Sequence, residues 1–185
     1  MLSPQSLSET DRRLVAAWAA ECAERVLGLF EEEAPADDRP RDAIARTRAF
    51  ARGDLDAAGE IRRRFVAGRA AHAVSSPAAV AAARAAAQAA GVAHMGAHAL
   101  GAAAYAAKAV GLAVPDRPDA VRDEISWQVE HMTDETKSAL RQLPPVGEDT
   151  AGPLGSGLLA SGILGSTIRE IQAAIGSTSP QQSAR

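Results

Sequence analysis

A chain of 185 residues is long enough for one ordinary domain with a core of its own. A net charge of −3 leaves no basic surplus of the kind that neutralises phosphates, so nucleic-acid binding is not expected. The single cysteine, Cys22, excludes an internal disulfide, and with aromatics at 3% the core must be built of small side chains.

Alanine supplies 44 residues. It is the strongest helix former, and its short side chain lets helix axes approach closely. No run of Val, Ile, Thr, Tyr and Phe alternates as a strand does. The expected class is all-α: a compact bundle of about six antiparallel helices with a C-terminal helical and disordered appendage.

In "LSETDRRLVAAWAAECAERVLGLFEEE" Ser8 is a cap, and Glu9 and Asp11 complement the helix dipole. Leu14, Val15, Trp18, Cys22, Val26 and Leu29 recur every three or four residues, and Ala34-Pro35 ends the helix near residue 33. Cys22 thus reads as a buried thiol acting as a small hydrophobe. A second helix follows Asp37 or Asp38, with Pro40 in its first turn, Ile44, Thr47, Phe50 and Ala51 inward, and Gly53 as its stop. A third is capped by Asp54 or Asp56, carries the stripe Ala58, Ile61, Phe65, Gly68 and His72, and ends near Ser75. Arg62, Arg63 and Arg64 fan around it as a solvated face.

Ser76-Pro77 opens a fourth helix, "AAVAAARAAAQAA", with ten alanines in thirteen residues, suited to close packing between neighbours. Gly91 and Gly96 place a kink or short break at 91–96, and a fifth helix runs from about 96 to Gly111. After the turn "VPDRPDAV", with capping Asp116, a sixth carries Val121, Ile125, Val129, Met132, Thr136 and Leu140 and stops before Pro144-Pro145. Residues 1–146 are the expected domain. Residues 147–185 are a linker, an apolar helix rich in small residues and a disordered tail. Within 153–175 the uncharged part is sixteen residues, short of the roughly twenty that span a bilayer. Gly157, Ser161 and Gly165, four apart, allow close helix contact and self-association. The first fifteen residues mix charges with no apolar run, so no signal peptide is expected. With the unpaired thiol, this points to the cytoplasm.

Chemistry-bearing patterns are sparse. His94 and His98 are four apart, and His72 could join them across a helix interface, with Tyr105 nearby. A zinc usually takes three or four protein ligands, and neither HExxH nor CxxC occurs, so these are weak metal candidates and no cofactor is expected. GxSxG, GxGxxG and a phosphate loop are lacking, and no catalytic residue is assigned. The alternative reading is a small-molecule- or metal-binding helical domain, with or without enzymatic activity, with a pocket near His72, His94 and His98. "FEEEAPADD" gathers Glu31, Glu32, Glu33, Asp37 and Asp38 at the first interhelical loop, an acidic edge able to steer a basic protein partner.

Two stretches carry a resemblance: "AAECAERVLGLFEEEAPADDRPRDAIARTRAFARG" at 19–53 and "HALGAAAYAAKAV" at 98–110, followed by "LPPV" at 143–146. Over roughly residues 8–146 the chain resembles an actinobacterial immunity-protein family, a domain like the fifth immunity class of polymorphic toxin systems. The matching signature positions are Asp38, Arg39, Pro40 and Arg41, and His98 with Gly101. The resemblance implies a compact all-α fold and neutralisation of a cognate toxin by direct, non-enzymatic binding in the cytoplasm. Several members carry Gly-His where this chain has Ala87-Gln88, which speaks against a multi-histidine site. A helix start, ion pairs and a close helix contact would explain the same signature positions structurally.

Overall fold

The computed structural model describes residues 3–63 and 65–176, and among them it shows nine α-helices and no strand. α1 (Glu9–Glu31) starts as its sequence predicts, with the Ser8 hydroxyl accepting the Asp11 N–H at 3.0 Å. α2 (Arg39–Arg52) begins with Pro40 in its first turn and ends on Gly53, whose φ of 88° only glycine adopts cheaply. There the Gly53 N–H reaches the Phe50 carbonyl and the Asp54 N–H reaches that of Ala49, at 3.0 and 2.9 Å, closing the helix end.

Two helices that read as continuous are each broken, which turns about six into nine once the last is added. The expected third helix is α3 (Ala57–Arg63) followed by α4 (Val66–Ala70). The break rotates the inward face, so the stripe Ala58, Phe65, His72 is corrected: Phe65 is 62% exposed, Ala58 and His72 are exposed, and Glu60, Ala67, Ala70 and Ala71 turn inward instead. Arg62 and Arg63 are exposed, and Arg64 lies outside the described residues. The expected sixth helix is α7 (Ala120–Glu130) and α8 (Asp134–Leu140). Thr133 separates them because its hydroxyl, 3.1 Å from the Thr136 N–H, caps a new helix start.

α5 (Pro77–Gly91) and α6 (His98–Ala113) are joined by a turn and form the most extensive helix pair, with α1 laid against both. Residues 99–107 of α6 are buried without interruption, so this helix has no solvent face over two and a half turns. Such enclosure needs side chains no larger than alanine at most positions, and α5 and α6 supply them. The large core groups, Trp18, Phe30, Ile44, Phe50 and Leu100, fill the spaces that remain.

After α8 the chain runs irregularly to a 3-10 turn at Leu158–Ala160 and then α9 (Gly162–Gly176). Leu164, Ile168, Ile171 and Ile175 of α9 enter the same core cluster as α1, α5 and α6, and α9 packs on α6, α7 and α8. The expected disordered tail, 177–185, lies outside the described residues. Gln5 anchors the irregular stretch. Its amide donates to Asp149 and to the Ala151 carbonyl, both at 2.7 Å, and accepts the Leu154 N–H at 2.9 Å. Arg141 donates to the Ile175 carbonyl at 2.6 Å, where the negative end of the α9 dipole favours a cation.

Candidate functional site

The acidic edge sits where α1 ends and α2 begins, and the structure separates its five carboxylates into two kinds. Glu31 pairs with Arg41 at 2.6 Å, and Asp37 takes the Arg39 Nε at 2.8 Å, so each of these charges is met by a cation. The Arg39 hydrogen bonds hold the Asp37 carboxyl below its ordinary range. Glu33 instead accepts the Ser75 N–H and hydroxyl at 2.6 and 2.8 Å, and the Ser76 N–H at 3.1 Å. These donors lower its pKa, the Ser75 N–H foremost, yet they are neutral and leave the charge in place. Glu32 and Asp38 are exposed, and neither side chain has a cation paired with it among the described residues. The uncompensated charge of the edge is therefore Glu32, Glu33 and Asp38. Of the signature residues, Arg39 and Arg41 serve this edge, and Pro40 is buried at the start of α2.

The histidines lie elsewhere. Val92–Ala97 is a turn, so no helix carries both His94 and His98 and the stacking that four-residue spacing implies does not occur. They meet nonetheless in one open groove of ≈ 370 Å³, with Gln88, Met95 and Tyr105 and, from the C-terminal stretch, Gly152, Pro153, Gly157, Leu158 and Leu159. His98 Nδ1 is 2.8 Å from the Gln88 Oε1, and since an amide oxygen only accepts, Nδ1 donates. A Cβ on Gly91 would lie 2.9 Å from the His98 ring, and one on Gly101 would overlap the Gln88 amide and sit 3.1 Å from Leu159. The signature glycine and histidine are thus parts of one close packing arrangement. His72, exposed beyond α4, does not line the groove. Among the described residues no group of three or more His, Cys, Asp and Glu side chains is placed to hold a metal ion.

Cys22 is fully buried, and burial, with Glu124 and Glu21 adding, pushes its thiol well above the ordinary value. A thiol so placed stays protonated and unreactive.

The sequence reading did not single out a polar network that crosses the core. Arg25 on α1 grips Glu124 of α7 through Nε and Nη2, at 2.9 and 2.8 Å, although Glu124 is only 3% exposed. Buried Gln128 donates to Glu124 and to the Ala103 carbonyl of α6, both at 3.1 Å, and the Trp18 indole N–H reaches the Gln128 carbonyl at 2.9 Å. At the surface Arg25 lies 3.8 Å from the Trp127 ring centroid, and Trp127 stacks on His131 at 3.9 Å. Glu124 and Gln128 flank Ile125 in the inward register of α7, a signal available in the sequence: polar groups in an apolar stripe.

A family model described as "Imm-5 like putative immunity protein" matches residues 5–135. No curated protein and no solved structure matches the chain. Among the described residues no helix is long and apolar enough to cross a membrane.

Proposed function

The chain belongs to the Imm-5 like putative immunity protein family, and from that membership we propose that it is a non-enzymatic binding protein that neutralises a cognate toxin by direct contact in the cytoplasm. The family match over residues 5–135 is the observation that carries this reading. The contact surface is the acidic edge of Glu31, Glu32, Glu33, Asp37 and Asp38, meeting a basic surface on the toxin. Two features of the edge support the assignment. Glu31, Glu33 and Asp37 are held by hydrogen bonds or ion pairs within the chain, so little side-chain entropy is lost when a partner docks. Glu32, Glu33 and Asp38 keep a net negative field that speeds encounter with a cationic face.

Self-association through 153–175 has less to work with. The large apolar side chains of that stretch are buried in the core except Leu158 and Ile163. The test is co-expression with the toxin encoded beside the gene, followed by pulldown and growth measurement. A complex and restored growth are expected. No complex and no protection would overturn the proposal.

A further inference from the structure

We infer that the groove between the α5–α6 turn and the C-terminal stretch is a binding site for a small organic monoanion with an apolar body, a site independent of the acidic edge. Its volume of ≈ 370 Å³ is that of a small-molecule site, where typical pockets begin at roughly 300 Å³. Its lining divides by chemistry. Gln88, His94, His98 and Tyr105 present hydrogen-bonding groups on the α5–α6 side, and Met95, Leu158 and Leu159 present apolar surface. No Asp or Glu lines it, in a chain whose acidic residues outnumber its basic ones 23 to 20.

A cation stands beside the groove as well. Arg84 lies one helical turn before Gln88 on α5, is exposed, and has no carboxylate paired with it among the described residues. Ten other arginines are in ion pairs. Burial raises the Tyr105 phenol and the Arg84 charge opposes the rise, so that charge is felt at a residue that lines the groove, although Arg84 itself does not line it. An anionic head there meets the His94 ring, the Gln88 amide N–H groups and the Tyr105 phenol within the Arg84 field, and an aliphatic tail covers Leu158, 66% exposed at the rim.

The chain's four histidines make the test direct. Octanoate is titrated into the full-length protein while the imidazole C–H signals are followed by NMR, with octan-1-ol as the uncharged control. Saturable shifts of His94 and His98 are expected, with His72 and His131 unmoved and octan-1-ol at least about tenfold weaker. Arg84→Gln and His94→Ala, both at exposed positions, should each weaken octanoate about tenfold, the first by removing a nearby positive charge and the second by removing a lining ring, with unchanged melting temperature. Absence of saturation, equal movement of all four histidines, or equal binding of octan-1-ol would overturn the inference. So would a response of the two rings to an acidic peptide with octanoate silent.

Discussion

Single residues in this protein are constrained mainly by how closely alanine-lined helices approach one another. Gly28 and Gly101 show the contrast. Both are helical, yet a Cβ at Gly28 meets nothing within 4 Å, whereas one at Gly101 meets Gln88 and Leu159. Gly28→Ala should therefore stabilise the protein by about 1 kcal/mol through helix propensity. Gly101→Ala should lose stability by about 1–3 kcal/mol through overpacking and should displace the His98 signal, both read by urea denaturation and NMR. The carboxylates give a prediction in pH. Glu33, Asp37 and Glu24 have lowered pKa values in the folded protein, from hydrogen bonds to Ser75, Arg39 and Arg48 respectively. A depressed folded pKa adds stability above the unfolded value and loses it as pH falls through the folded one. Denaturation midpoints should thus be level at neutral pH and decline below the ordinary carboxylate values of 4.5 and 3.8. Glu33→Gln should flatten that decline, and an unchanged slope would remove Glu33 from the account.

At the scale of the element, helix ends decide more than helix interiors. Ser8, Gly53 and Thr133 each mark a boundary by a hydrogen bond or a backbone angle that a side chain must permit. Thr133→Ala should cost about 1 kcal/mol, because the Thr136 N–H loses its acceptor. Gly53→Ala should cost a similar amount, about 1 kcal/mol, since alanine is strained at a φ of 88°. Thermal melts of the two variants check both values. The starts at Ser8 and Ser76 and the stop at Gly53 were legible in the sequence, because caps are local. The breaks inside the third and sixth predicted helices were not. Apolar periodicity continued across both, yet α4 starts anew at Val66 and α8 is recapped at Thr133.

For the whole molecule, α9 is the decisive addition. It seats Leu164, Ile168, Ile171 and Ile175 in the shared core, and each fully buried aliphatic of this size contributes about 1.5–3 kcal/mol. Truncation after Gly147 should lower the melting temperature sharply and expose apolar surface, read by dye binding and by sizing chromatography. A truncated protein with native stability would show that α9 only covers the bundle. The role proposed for the acidic edge belongs to the same scale, since a charge field would reach a partner before contact. Glu32→Lys with Asp38→Lys should slow association with the toxin about tenfold at low salt, with the loss shrinking as salt rises. An unchanged association rate would place the contact on another face.

The sequence by itself determined the helical class, the family, the helix boundaries at Ser8, Ser76 and Gly53 and the location of the acidic loop, because composition, spacing and capping act within a few residues of chain. The tertiary structure decided which groups meet Glu31 and Glu33, since Arg41 and Ser75 reach them from other elements, whereas Asp37 is met by Arg39 only two residues along the chain. It likewise placed His94 and His98 in a common groove and left His72 outside it. Both outcomes depend on where helices cross, and crossing is set by the summed packing of many small side chains, which no local window of sequence contains.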